Sequence, residues 1–201
     1  MKNIAVFCSG HGSNLQAIIN AVKKGKIKAR IALVVSDCID AYALVRARDN
    51  NIPILYINPS DFSDREGYDK FTITSLKHKK IDFIVLAGFM RLLSPFFVKQ
   101  FKHRILNIHP SLLPSFKGTA AITDALDYGS KVTGVTVHFV DEELDHGPII
   151  LQGAITIKDT DTKETIAERI HKVEHKLYPE AIRLLVLGKL KITGRKVQIK
   201  R

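Results

Sequence analysis

Asn107 and His109 stand two residues apart in the stretch Ile105–Gly118, ILNIHPSLLPSFKG. In an extended strand, residues two apart project from the same side. An amide and an imidazole would therefore face one place. The amide N–H can donate to an oxyanion as it develops. The imidazole can take up and release a proton near neutral pH. Pro110 fixes the direction of the chain after His109, and Pro114 stiffens the loop that follows. Spacing alone also fits an ordinary strand end with a satisfied histidine. A histidine doing proton work needs a carboxylate to orient it. The stretch His138–Gln152, HFVDEELDHGPIILQ, offers Asp141, Glu142, Glu143 and Asp145. Asp145 sits in a tight turn before Gly147 and Pro148, but spacing does not choose it over Asp141. Solvation would explain an acidic turn equally well.

A second constellation is CSGHGSN, Cys8–Asn14. Gly10 and Gly12 permit a tight turn, and Ser13 and Asn14 are residue types that cap helices. A helix N-terminus after such a turn is an anion site. The motif is neither GxGxxG nor GK[ST], so dinucleotide and ATP binding are disfavoured. His171-Lys-Val-Glu174-His175 matches H-x-x-E-H formally. A second glutamate ligand would have to be Glu180, which is too close, so no metal is expected. Ser111 follows His109 too closely for a nucleophilic triad. His78, His103 and His138 lie in basic or strand contexts and are expected to be structural or solvent-facing. His11 and His146 receive no role.

The elements that must position these groups alternate. Ile4–Phe7, Arg30–Ser36, Pro53–Ile57 and Ile81–Ala87 are short apolar runs typical of buried strands. Between them, Ser13–Lys24, Ala41–Asn50 and Asp64–Lys80 have helical character, and Ser94–Phe101 follows as a short helix opened by proline. This alternation predicts an α/β fold, a parallel sheet covered on both faces. After a helix at Ala120–Asp127 the pattern changes. Lys131–Val140 and Ile149–Ile157 read as two longer neighbouring strands. Thr162–Leu187 reads as a long amphipathic helix with a possible break at Pro179. The short basic strands LKI and VQI close the chain. No linker or repeat divides it, so residues 1–201 are expected to form one domain.

Of the 201 residues, 45% are hydrophobic, which fits a globular chain with a sizeable core. There is no run of about 18 uncharged apolar residues, the length that would suggest a membrane span. The N-terminus reads as a first strand rather than a signal peptide. The two cysteines, Cys8 and Cys38, belong to no metal pattern and are expected as two buried thiols in a reducing cytoplasm. The net charge of +11 favours anionic partners. The charges are spread out, densest in the tail KLKITGRKVQIKR, and with no Trp and five Tyr no aromatic base-stacking face is evident. A phosphorylated or carboxylated small molecule is expected rather than nucleic acid.

SGHGSNLQAII, AGFMRLLSP, LNIHPSLLPSFKG, GVTVHFVDEELDHGPIILQ and EHKLYPEAI occur in this order along nearly the whole chain. Together they resemble the folate-dependent formyltransferases, and among these the phosphoribosylglycinamide formyltransferases. The resemblance implies a Rossmann-like, mostly parallel twisted sheet with helices on both faces and antiparallel strands in the C-terminal half. It implies transfer of the formyl group of 10-formyltetrahydrofolate to the amine of glycinamide ribonucleotide, in purine biosynthesis, without a covalent enzyme intermediate. Asn107 and His109 match the catalytic residues, with Asp145 holding His109. Gly12, Ser13 and Asn14 match the phosphate loop, and Glu174 a contact to the ribose. Arg65, Met90, Arg91, Leu92, Leu93 and Asn107 match the folate side, as does the loop Val140, Asp141, Glu142, Glu143 and Leu144. Plain core packing is the other explanation for Met90, Leu92 and Leu93. Residues up to about 100 would serve the ribonucleotide phosphate, and about 101–190 catalysis and folate. The resemblance further implies a cytoplasmic monomer or homodimer that uses no metal. Methionyl-tRNA formyltransferases and formyltetrahydrofolate hydrolases share parts of these motifs but usually carry a further domain.

Overall fold

The computed structural model describes residues 1–200. Strands β1 (Lys2–Phe7), β2 (Ala29–Ser36), β3 (Ile54–Tyr56), β4 (Phe83–Leu86) and β5 (Ile105–His109) alternate with helices α1 (Ser13–Lys23), α2 (Tyr42–Asp49), α3 (Arg65–His78) and α4 (Pro95–Gln100). Then come α5 (Ala121–Asp127), β6 (Val132–Phe139), β7 (Ile149–Thr156), α6 (Lys163–Val186), β8 (Leu190–Thr193) and β9 (Lys196–Ile199). One nine-stranded sheet runs in the order β3-β2-β1-β4-β5-β6-β7-β9-β8. The first five strands are parallel. β6 joins antiparallel to β5, and β7 antiparallel to β6. The β8–β9 hairpin adds to the edge with β9 parallel to β7. The alternation predicted from the sequence is therefore what the chain builds. Among the described residues, no helix is long and apolar enough to cross a membrane.

The period of two on β1 separates the two cores. Ile4 and Val6 face a cluster with Leu15 and Ile18 of α1, Leu44 of α2 and Tyr178 and Ile182 of α6. Ala5 and Phe7 face the other cluster, with Ile73 and Leu76 of α3 and Phe97 of α4. Burial on both faces explains why these strands are continuous apolar runs. Where the strand order reverses, β1 lies between β2 and β4. Ligands of such sheets bind in the crevice outside the carboxyl ends of the strands at this point. The loops after β1 and β4 flank it.

Three details differ from the sequence expectations. Cys8 is buried as expected, but Cys38, in the turn after β2, is exposed. The residue capping α1 is Gly12, at φ +74°, rather than Ser13 or Asn14, and no side chain caps the helix. A Cβ on Gly12 would sit 2.8 Å from the Cβ of Ala43, so the loop approaches α2 too closely for any other residue. Helix α6 also runs unbroken through Pro179. Tyr178, Ala181 and Ile182 on either side of it are fully buried, and that packing outweighs the missing backbone donor.

The Tyr178 hydroxyl donates to the carbonyl of Leu86 at 2.6 Å and lies 3.1 Å from that of Leu106, tying α6 to β4 and β5. Replacing Tyr178 by phenylalanine is expected to cost about 1–2 kcal/mol of unfolding free energy. Urea denaturation with an unchanged slope would show this, and an unaltered midpoint would contradict it.

Candidate active site

The sheet brings four polar side chains together at the junction of β5 and β6. Antiparallel register sets Asn107 opposite His138 and His109 opposite Thr136. The loop between β6 and β7 then folds back so that Asp145, at φ +46°, reaches β5. Asp145 Oδ2 accepts the backbone N–H of Gly118 at 2.9 Å and lies 3.4 Å from His109 Nδ1. Its Oδ1 is 3.4 Å from Asn107 Nδ2. Asp145 therefore faces both strand residues, while Asp141 turns away to pair with His146 at 2.7 Å. Geometry resolves the choice that spacing left open.

Partners fix the ring states. His109 Nε2 lies 2.8 Å from the carbonyl of Phe116, which only accepts, so this nitrogen carries a proton. His138 Nδ1 likewise donates to the carbonyl of Phe139 at 2.8 Å. Burial, the largest influence on His138, pushes its pKa below 6.5 against the opposing pull of that carbonyl and of Asp145. The neutral ring then presents a lone pair on Nε2, which accepts from Asn107 Nδ2 at 3.2 Å. This orients the amide of Asn107, with one proton committed to His138 and the other on the longer contact to Asp145. His138 was expected to be structural or solvent-facing; it is buried, but it belongs to this cluster. Only the strand pairing, not its sequence context, could have revealed that.

Because His138 is held neutral, folding loses stability as pH falls below its ordinary value and on through its depressed one. The stability advantage of the native chain over His138→Gln is expected to shrink from pH 7 to pH 5, read by thermal unfolding. A pH-independent difference would contradict this.

The loop beneath His109 is tightly tied. Thr136 Oγ1 donates to the carbonyl of Ser111 at 2.7 Å and accepts from Leu113 N and Gln152 Nε2 at 3.0 and 2.9 Å. Ser111 is held by the carbonyl of Ser115 at 2.6 Å. It is part of the scaffold rather than a nucleophile.

The second group surrounds the start of α1. Asn14 Nδ2 donates to Glu174 Oε2 at 2.9 Å, and His171 Nδ1 lies at the same distance from that oxygen. Glu174 is 5% exposed, and the buried Oδ1 of Asn14 has no partner among the described residues. The bond to Glu174 raises the pKa of His171. The uncapped N–H groups at the start of α1 can take an anion, and the paired carboxylate can accept from a hydroxyl.

The third group follows β4. Met90 and Leu92 are 64% and 56% exposed, so core packing is ruled out for them, whereas Leu93 packs into the second core. The guanidinium of Arg91 lies 4.6 Å over the ring of Tyr68. Ser9 Oγ accepts from Met90 N at 2.9 Å and donates to Asp37 at 2.6 Å, and Asp69 accepts from Ser94 N at 2.7 Å. Burial raises the pKa of the Asp69 carboxyl, against the lowering pull of its bonds to Ser94 and of the charges of Arg65 and Arg91. Among the described residues, no three His, Cys, Asp or Glu side chains are grouped to hold a metal.

The chain belongs to the formyl transferase family, whose model matches residues 2–182. It is 44% identical over 186 residues to the phosphoribosylglycinamide formyltransferase of Bacillus subtilis, covering 92% of this chain and 95% of that protein. The crystal structure of glycinamide ribonucleotide transformylase 1 from Symbiobacterium toebii superposes with a TM-score of 0.98 at 46% identity, over 100% of this chain and 95% of that one. The chain also matches the trifunctional purine biosynthetic protein adenosine-3 of Chironomus tentans at 43% identity, over 96% of this chain but only 14% of that protein's length.

Proposed function

We propose that the chain transfers a formyl group from 10-formyltetrahydrofolate to the amine of glycinamide ribonucleotide, in the cytoplasm and without a metal. The observation that carries this is the convergence of Asn107, His109 and Asp145 at the junction of β5 and β6. The formyl-folate supplies an activated formyl carbon, and the substrate amine is the nucleophile, so the protein needs no nucleophile of its own. As the amine attacks, the formyl oxygen gains negative charge. Asn107 would donate its proton now on the 3.4 Å contact to Asp145 to that oxygen, while the bond to His138 keeps the amide in orientation. A positioned donor of this kind is worth about 10²–10³-fold in rate.

One proton must leave the amine and one must reach the folate nitrogen as the carbon–nitrogen bond breaks. His109 would carry it through Nε2, which the Phe116 carbonyl must then release. Asp145 would balance the charge on the ring. Gly12, Ser13 and Asn14 would take the phosphate, and Glu174 the ribose. Arg65, Met90–Leu93 and Val140–Leu144 would receive the folate. Within one domain, the residues up to about 100 would thus serve the phosphate and, through Arg65 and Met90–Leu93, part of the folate, and about 101–190 catalysis, the rest of the folate and, through Glu174, the ribose.

The test is an absorbance assay of the purified protein with formyl-folate or its dideaza analogue, with and without glycinamide ribonucleotide. Loss of the formyl group only with the ribonucleotide supports the proposal. Equal loss without it would make the chain a hydrolase.

A further inference from the structure

His146 and the C-terminal β8–β9 hairpin have no part in the chemistry above, yet they meet. The pairing of Ile149 with Lys196 brings the hairpin turn beside the end of the loop that runs from Val140 to Gly147. Arg195, in that turn, donates through Nη2 to the carbonyl of His146 at 2.6 Å, and its Nη1 lies against the face of the His146 ring, 2.8 Å from Nε2 and 3.3 Å from Nδ1. The carboxylate of Asp141 only accepts, so Nδ1 of His146 bears a proton. His146 Nδ1 passes that proton toward Asp141 Oδ2 at 2.7 Å. Asp141 Oδ1 in turn accepts from Glu143 N at 3.2 Å. The result is a directed chain, Arg195 to His146 to Asp141 to the backbone of the loop. It pins the loop at its entry, Asp141, and at its exit, His146. Between these lie the exposed tip Glu142–Leu144 and Asp145.

We infer that Arg195 is a positioning residue for the folate side of the reaction. Through His146 and Asp141 it holds the Val140–Gly147 loop in the shape that receives formyl-folate. The inference rests on the proposal that this loop takes the folate. A single exposed ion pair contributes little. Here one guanidinium bonds a backbone carbonyl and lies against the ring beside it, and its target is the loop to which the proposal assigns the folate.

Steady-state kinetics and equilibrium binding of the dideaza folate analogue to the full chain test this. Arg195→Ala is expected to raise the KM for formyl-folate about two- to tenfold, the range for a partly exposed charged contact. The KM for the ribonucleotide and the thermal midpoint stay as they were. His146→Leu reproduces the effect. His146→Gln restores most of it, because its amide can donate to Asp141 while the backbone carbonyl still accepts from Arg195. Unchanged folate KM in Arg195→Ala, in a native chain that binds the analogue, overturns the inference and leaves the proposed function standing. A rise in both KM values with a lowered midpoint overturns it in favour of a general structural tie. A native chain that binds no folate analogue removes the proposal beneath it as well.

Discussion

Replacing His109 by alanine is expected to lower kcat for formyl transfer by about 10²–10⁴-fold, the usual contribution of a positioned acid or base. His109 is 4% exposed, with Nε2 on a carbonyl and Nδ1 facing a carboxylate. His138, the other imidazole of the cluster, does not replace it, because it keeps its proton on the carbonyl of Phe139. His109→Gln separates chemistry from packing. It can still donate to Phe116 but cannot shuttle a proton, so it should be impaired nearly as much as alanine. Ribonucleotide binding, which the proposal assigns to the start of α1 and Glu174, should survive in both variants. A His109→Ala chain with native kcat would mean that another group or water handles the proton.

Neutralising Asp145 should give the next largest effect. Asp145→Asn keeps an oxygen for the Gly118 N–H but removes the charge that faces His109. A drop in kcat of up to roughly 10⁴-fold is expected, as when the carboxylate behind a catalytic histidine is made an amide. The KM for the ribonucleotide should change little. Asp141→Asn is the matched comparison, since Asp141 faces His146 and not His109. If the two variants lose kcat equally, the acidic turn acts through its overall charge rather than through Asp145.

Much of this was legible in the sequence for simple reasons. Strands buried on both faces leave long apolar runs, so the parallel half of the sheet could be read directly. The spacing of Asn107 and His109 also translates into a shared face, because the strand repeat is two. What stayed hidden depends on contacts between distant segments. Asp145 stands out from Asp141 only once the backbone turns through a positive φ at that residue. His138 joins the site through its register with Asn107, which no local context encodes. Gly12 caps α1 because Ala43 crowds it, again a tertiary fact. Pro179 reads locally as a helix breaker, and only the packing of Tyr178 and Ile182 shows why it is tolerated. The bonds of Arg195 to His146 span 49 residues of sequence and required the edge pairing of the hairpin to be seen.

The most direct test of direct formyl transfer at this site follows the carbon itself. Formyl-folate carrying a labelled formyl carbon is mixed with the chain and glycinamide ribonucleotide, and the products are separated. All of the label should appear on the ribonucleotide amine, one for each folate consumed, with none bound to protein. Label released as formate, or trapped on the chain, would contradict direct transfer at Asn107 and His109.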